Sequence, residues 1–227
     1  MPVLAYIVVA VAAYLLGSIP TGFLVAKAKG IDIRAAGSGN IGATNAMRVL
    51  GKPAGIFVLL VDCAKGYVAC AFLPPLVWNW LAPHYSGLFQ YFHDTSVENQ
   101  TKYYLVAGIC AVLGHNFTCW LKFKGGKGIA TTAGVYLALA PTALGIALIV
   151  FILALLFTKY VSVGSIAAAI ALPAAIWILP PHDLILGTVT TALGLMAIYK
   201  HKSNIQRLMA GTENRLGKKT STMEAAK

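Results

Sequence analysis

The 227-residue sequence contains few charged residues and very few acidic ones. Only 11% of the residues are charged, less than half of the roughly 25% found in soluble domains, whereas 58% are hydrophobic. This composition argues against a water-soluble globule. The 18 basic and seven acidic residues give a net charge of +11. A chain this apolar cannot be a disordered basic tail or a coat for nucleic acid, so no nucleic-acid partner is expected.

Cysteine and acidic residues are too sparse to suggest a metal centre. The four cysteines form no CxxC pair and lie in apolar runs, where we expect packed thiols instead of metal ligands or disulfides. The seven acidic residues are scattered along the sequence, so no carboxylate cluster for a divalent metal is expected. We therefore predict neither a metal nor another cofactor.

The start of the sequence lacks the basic residues that precede the apolar stretch of a signal peptide. Residues 1–17 contain no Lys or Arg, so a cleaved signal peptide is not expected. We expect the first apolar run to remain in the protein as a helix, with its N-terminus outside the membrane.

The basic residues are concentrated in three segments. Fifteen of the 18 lie in residues 27–52, 122–127 and 200–227. Apolar runs separate these segments, and about 20 residues are enough to cross the core of a bilayer. The pattern predicts an integral membrane protein whose basic loops stay in the cytoplasm.

The hydropathy pattern predicts an all-α polytopic membrane protein with about seven transmembrane helices, some of them short or broken. Pro141 divides the run from 129 to 157 into two helices. This division gives the odd number of crossings that places all three basic segments inside, with the N-terminus outside and the C-terminus cytoplasmic. The predicted helices are 3–26, 53–73, 102–121, 129–139, 142–157, 161–180 and 184–199. Short or broken membrane helices typically line a cavity.

The same pattern predicts one domain. It covers residues 1–216 and is followed by a polar C-terminal tail, 217–227, since no internal repeat and no separate soluble segment is visible. The polar sequence is expected to fray from Thr212 onward. Residues 74–101, which precede Lys102 and contain no Lys or Arg, are expected to form an outer loop.

The segment Gly37–Asn45 has the sequence GSGNIGATN and is followed by Arg48. Its glycines allow backbone N–H groups to converge on an anion, and Arg48 adds a forked partner for phosphate. The spacing also fits GxGxxG, with Asp62 twenty residues on. No strand precedes the glycines, however, and Asp62 lies in an apolar run, where we expect an ion pair with Lys65. A tight turn at the membrane interface is the alternative interpretation.

The segment Phe123–Gly128, FKGGKG, precedes the predicted helix that begins at Ile129. Free N–H groups at a helix start favour an anion, and the neighbouring glycines allow Lys127 to approach it closely. The alternative is a loop whose lysines only determine membrane topology.

The third polar segment contains His201 and Asn204, which would share a helix face. Neighbouring lysines disfavour a charged imidazole, so we expect His201 to be neutral and able to accept a proton. An ordinary interfacial histidine is the alternative. Ser162 and Ser165 follow Lys159 at the inner end of a predicted helix, where packing serines are common. All these segments are predicted to meet at one membrane face.

Together these segments resemble the three cytoplasmic motifs of the bacterial acyl-phosphate-dependent glycerol-3-phosphate acyltransferases, the PlsY family. The matching residues are GSGNIGATN with Arg48, then Gly114-His115 leading to FKGGKG, then His201 to Asn204 with Arg207-Leu208. The resemblance runs from Ala13 to Leu216. It implies a seven-helix enzyme of the bacterial cytoplasmic membrane that carries out the first step of phospholipid synthesis. Such an enzyme transfers an acyl group from acyl phosphate to the 1-hydroxyl of sn-glycerol 3-phosphate, giving lysophosphatidic acid and phosphate at a cytoplasmic active site.

The resemblance also implies roles for individual residues. The predicted catalytic residues are His201, Asn204 and Ser38. The predicted phosphate-binding residues are Gly37, Gly39, Asn40, Thr44, Asn45, Arg48, Gly126, Lys127, Gly128 and Ser165, with Ser162 as the alternative to Ser165. Either His201 or an oxygen of the acyl phosphate could take the hydroxyl proton. The expected partners are the two substrates and membrane lipid, with no obligatory protein partner.

A transporter of an organic phosphate is the alternative function, because it would also need broken helices and cationic loops. Transporters usually bind their ligand near the bilayer midplane, between repeated halves. Here the candidate residues are predicted at one membrane face and no repeat is visible, so the sequence favours an enzyme.

Overall fold

The computed structural model describes residues 2–81 and 97–216, and every regular element in these two ranges is helical. The first five helices are α1 (Pro2–Ser18), α2 (Thr21–Lys27), α3 (Ala43–Leu50), α4 (Lys52–Ala71) and α5 (Leu73–Leu81). The next are α6 (Val97–Asn116), a 3₁₀ turn (Cys119–Leu121), α7 (Ile129–Leu139) and α8 (Pro141–Thr158). The last are α9 (Val161–Ile178), α10 (Leu184–Lys200) and α11 (Lys202–Met209).

Within the described ranges, five segments are long and apolar enough to cross a membrane. They are Val3–Lys27, Lys52–Leu81, Thr101–Leu121, Pro141–Thr158 and Val161–Ile178. The pair α10 and α11, bent by 52°, makes a sixth candidate. The 11-residue helix α7 is only about 16 Å long, too short to cross the bilayer core alone. The predicted all-helical polytopic fold, with some short helices, is therefore confirmed. The orientation of the termini stays a prediction.

Two predicted irregular segments are partly helical or packed. The expected outer loop 74–101 was wrong at both ends, because α5 continues to Leu81 and α6 begins at Val97; residues 82–96 lie outside the described ranges. Proline is tolerated in the first turn of a helix, so the two prolines at the start of α5 do not prevent it.

The expected fraying from Thr212 was also wrong for residues 212–216. Glu213 is buried there, and the Leu216 N–H donates to the Lys159 carbonyl over 2.8 Å. The predicted tail, 217–227, lies outside the described residues.

Glycines bring pairs of helices into close contact. A Cβ on Gly17 of α1 would collide with the Ala111 backbone of α6, and a Cβ on Gly66 of α4 would collide with the Thr131 backbone of α7. Small residues at such crossings are typical of membrane helices, since they let backbones approach. This close packing holds the start of α7 against α4 near Lys65.

Candidate active site

A polar cavity of about 150 Å³ lies where loops and helix ends converge. Its walls come from the segments that precede α3 and α7, from α3, the middle of α4 and α8, the end of α6, the starts of α7 and α9, the junction of α10 and α11, and the segment that follows α11. The predicted residues that line it are Ser38, Asn40, Thr44, Asn45, Arg48, Lys127, Gly128, Ser165, His201 and Asn204. Thus one cavity brings together all three polar motifs, which are far apart in the sequence.

Asn45 organises the first motif. Its side chain is 1% exposed and accepts a hydrogen bond from the Ser38 N–H over 2.8 Å. Its amide nitrogen donates to the carbonyls of Ala36 and Asn40, over 3.0 and 2.8 Å. The polar atoms of Asn45 are therefore committed to the loop, and Asn45 positions the neighbouring Ser38 and Asn40 at the cavity wall.

Three of the predicted glycines are not among the residues lining the cavity: Gly37, Gly39 and Gly126. Gly37 and Gly39 have φ angles of +60° and +70°, a region that favours glycine. A Cβ on Gly37 would also collide with the Asn45 amide oxygen, and one on Gly126 would collide with the His115 imidazole. These three glycines shape the two loops and allow them to pack closely.

The second motif connects directly to the third. Lys127 is half-buried just before α7, and its ammonium donates to the side-chain oxygen of Asn204. Burial, opposed by the charge of Glu213 and helped by the nearby charges of Arg207 and Arg48, lowers the pKa of Lys127 to about 8. This coupling shows that three cationic side chains act on the same small volume, which favours an anionic ligand.

Glu213 is a cavity residue that the sequence analysis missed. Its Oε1 accepts from Asn204 over 2.7 Å and from Ser162 over 3.1 Å, while its Oε2 accepts from Arg207 over 2.7 Å. Burial would raise the pKa of Glu213, but the hydrogen bonds from Asn204 and Arg207 bring it below its ordinary value. The carboxylate thus joins α9, α11 and the following segment. The only sequence signal is an acidic residue within a strongly basic segment.

His201 lies between α10 and α11 and is 3% exposed. Its Nδ1 lies 2.7 Å from the Ala197 carbonyl. Because a carbonyl only accepts, Nδ1 carries the proton and Nε2 keeps a free lone pair. Burial, followed by the charge of Lys127, lowers the pKa of His201 to about 4. The predicted neutral imidazole is confirmed, but the cause is burial and Lys127 instead of the two lysines next to it in sequence.

The structure brings both candidate serines to the cavity. Ser162 donates to Glu213, whereas Ser165 donates to the Val161 carbonyl of its own helix over 2.9 Å. Both side chains are buried. Ser165 therefore stays a predicted phosphate ligand, with Ser162 as the alternative.

A second cavity, of about 230 Å³, lies beside the polar one and is apolar. It is enclosed mainly by α7, α8, α9 and α10, and many of its wall residues are small, such as Ala147, Ala168 and Gly194. Leu59, Ile129 and Phe151 belong to the walls of both cavities. An alkyl chain in the apolar cavity would thus have its polar end in the cationic one. The motifs gave no signal for this cavity.

The fold and the two cavities define a class: multi-pass membrane proteins in which a cationic cavity adjoins an apolar one. The sequence model of the glycerol-3-phosphate acyltransferase family matches residues 7–211, and the chain belongs to this family. It is 41% identical over 208 residues to the glycerol-3-phosphate acyltransferase of Geotalea daltonii, covering 92% of this chain and 96% of that protein. It is 45% identical over 203 residues to that of Geobacter sulfurreducens, covering 89% and 93%.

Solved structures agree with this assignment. The chain resembles crystal structures of PlsY, an integral membrane glycerol 3-phosphate acyltransferase, at 33% identity. The TM-score is 0.78 for its glycerol 3-phosphate form, with 97% of this chain and 98% of that chain covered. For its lysophosphatidic acid form the TM-score is 0.75, with 93% and 95% covered. The resemblance drawn from the motifs is therefore confirmed.

Proposed function

We propose that this glycerol-3-phosphate acyltransferase takes its acyl group from an acyl phosphate and transfers it to the 1-hydroxyl of sn-glycerol 3-phosphate. The products are lysophosphatidic acid and inorganic phosphate. One observation carries the proposal: the cationic cavity and the apolar cavity share the walls formed by Leu59, Ile129 and Phe151. An acyl phosphate matches both cavities, because its alkyl chain suits the apolar cavity and its anionic end suits the cationic one.

The phosphate groups of both substrates are assigned to the cationic cavity. Arg48 and Lys127 supply charge, and the N-terminal turn of α3, with Thr44, adds donors. Ser38 and Asn204 lie at the same wall and can donate to the carbonyl oxygen as negative charge develops on it. Asn45 and the three packed glycines act by holding the loops, and one of Ser162 and Ser165 completes the set.

The reaction needs little covalent help, because an acyl phosphate is a mixed anhydride and phosphate is a good leaving group. The 1-hydroxyl oxygen attacks the acyl carbon, the bond from that carbon to the phosphate oxygen breaks, and the phosphate leaves. Alignment of the two substrates can lower the barrier by about 7 kcal/mol or more. The hydroxyl proton goes either to Nε2 of His201 or to an oxygen of the departing phosphate.

We further propose that the reaction occurs at the cytoplasmic face of a bacterial cytoplasmic membrane. Arg48, Lys127 and Arg207 come from the three basic segments, and all three act at one cavity. Basic loops of membrane proteins are retained in the cytoplasm. This retention supports a cavity that opens to the cytoplasm, where soluble glycerol 3-phosphate has access.

A donor assay tests the proposal. Purified protein in lipid nanodiscs is given glycerol 3-phosphate with either palmitoyl phosphate or palmitoyl-CoA, and lysophosphatidic acid and free phosphate are measured. We expect both products from palmitoyl phosphate, in equal amounts and only when both substrates are present. Formation of lysophosphatidic acid from palmitoyl-CoA, with none from palmitoyl phosphate, would overturn the proposed donor. Uptake of glycerol 3-phosphate into vesicles without any acyl donor would favour the transporter alternative.

A further inference from the structure

A cluster of ionisable side chains is buried beside the polar cavity, within two of the membrane-spanning segments. Asp62, Lys65 and His115 are 2%, 5% and 6% exposed. Lys65 pairs with Asp62 over 2.8 Å, which confirms the ion pair expected from sequence, and donates to the Ile19 carbonyl over 2.9 Å. Thr21 also donates to Asp62, over 3.0 Å. Ionisable groups inside a membrane are costly and usually mark a functional site.

Asp62 and His115 differ from the rest of this cluster because they line the polar cavity, whereas Lys65 and Thr21 are not among its lining residues. His115 Nδ1 lies 3.7 Å from Asp62 Oδ1, too far for a hydrogen bond. Within the described part of the chain, this buried Nδ1 has no hydrogen-bond partner. The pair therefore has hydrogen-bonding capacity that the folded protein itself does not use.

The charge of Asp62 indicates which part of a ligand it faces. A carboxylate beside Arg48 and Lys127 opposes the binding of phosphate. Glu213 avoids this conflict because Ser162, Asn204 and Arg207 occupy its oxygens. Asp62, in contrast, pairs with Lys65, which is not among the residues that line the cavity, while Asp62 itself lines it. A carboxylate in that place suits a hydroxyl donor, not an anion.

We propose that Asp62 and His115 form a hydroxyl subsite that binds the 2-hydroxyl of the acceptor. This inference rests on the proposed function. The 2-hydroxyl donates to the Asp62 carboxylate and meets the imidazole of His115, which leaves the 1-hydroxyl free to reach the acyl carbon near His201. Asp62 and His115 thus determine acceptor specificity, and they fix which hydroxyl reacts. A site built to bond a hydroxyl discriminates strongly against an analogue that lacks it.

The test compares two acceptors, glycerol 3-phosphate and 3-hydroxypropyl phosphate. The second keeps the phosphate and the primary hydroxyl but lacks the 2-hydroxyl. With palmitoyl phosphate as donor, we expect wild-type protein to prefer glycerol 3-phosphate by about 10²-fold in kcat/KM. His115→Phe keeps a ring against Gly126 but removes both nitrogens, and Asp62→Asn removes the charge. Each variant is expected to reduce the preference by about tenfold or more, mainly by slowing acylation of glycerol 3-phosphate.

Thr21→Val is the matched control, because it removes a hydrogen bond to the same carboxylate from outside the cavity. We expect this variant to change kcat/KM for both acceptors by the same factor, so that the preference for glycerol 3-phosphate stays as in wild type. Equal losses for both acceptors in His115→Phe would overturn the subsite. So would a wild-type protein that uses the two acceptors equally well, a result that needs no variant to fold. Transfer to neither acceptor would instead refute the proposed function, and the subsite with it.

Discussion

The two neighbouring cavities are built in opposite ways. The polar cavity is assembled mainly from loops and helix ends, and its chemistry comes from a few polar side chains such as Arg48, Lys127 and His201. The apolar cavity is formed mainly by the sides of four helices, where residues such as Ala147 and Gly194 leave space by being small. Polar side chains are thus expected to control turnover, whereas the volume of the small residues is expected to control which acyl chain fits.

Among substitutions in the two cavities, the largest loss of turnover is expected at His201 in the polar cavity. If its Nε2 takes the hydroxyl proton, His201→Ala should lower kcat by about 10²-fold or more, with a modest change in KM. Steady-state kinetics with both substrates varied would measure this. Lys202→Ala, which changes an exposed neighbour, should behave like wild type. Near-normal turnover in His201→Ala would eliminate the base role and assign the proton to the departing phosphate.

Glu213→Ala is expected to have the next largest effect, because it removes the carboxylate that holds Asn204, Ser162 and Arg207. Leaving these donors without a buried partner should cost about 1–3 kcal/mol of stability. We also expect kcat/KM to fall by about tenfold to 10²-fold, since Asn204 loses its orientation. Thermal unfolding and kinetics would be compared with Arg215→Ala, an exposed change two residues away. Equal behaviour of the two variants would contradict the role given to Glu213.

The pH dependence sharpens the comparison further. Because the pKa of Lys127 is lowered to about 8, its charge is present below that pH and is lost as the pH rises. We expect kcat/KM to fall above pH 8 by up to about tenfold per unit. The neutral form of His201 should persist down to about pH 4. The Lys127→Arg variant keeps its charge throughout. The ratio of the wild-type kcat/KM to that of this variant, plotted against pH, should therefore decline only above pH 8. A flat ratio would contradict the prediction.

The smallest expected effect belongs to the apolar cavity. Ala168→Leu places a larger side chain at its wall and should lower kcat/KM for palmitoyl phosphate by about tenfold, with much less effect on octanoyl phosphate. The KM for glycerol 3-phosphate should not change. Ala167→Leu, the adjacent position that is not among the lining residues, is the control. An equal loss with both donors would show that the apolar cavity does not hold the chain.

The features that are predicted correctly from the sequence are local ones. The runs near 20 residues predicted the spans, and Pro141 predicted the division between α7 and α8, because these features depend on residues close in sequence. The motifs also predicted most of the polar cavity. Asn45 shows the limit: its residue type suited phosphate, but its position in the folded loop commits its amide to the backbone.

Long-range contacts explain what the sequence did not reveal. Glu213 lies in the polar sequence that is expected to fray, and only the folding of that segment back against Ser162 and Asn204 makes Glu213 central. Asp62 was recognised as an ion-pair partner of Lys65, but its place at the cavity wall depends on how α4 packs against α6. The apolar cavity is equally invisible, because alanine and glycine at helix crossings look the same whether they close a gap or leave one.

The central claim is that the substrate chain and its phosphate occupy adjoining cavities. The most direct test is a structure of the protein with glycerol 3-phosphate and a non-transferable acyl phosphonate. We predict that the phosphonate contacts Arg48 or Lys127 and that its chain lies between α7, α8, α9 and α10. A chain bound along the outer surface of the helices, with the apolar cavity empty, would contradict the account.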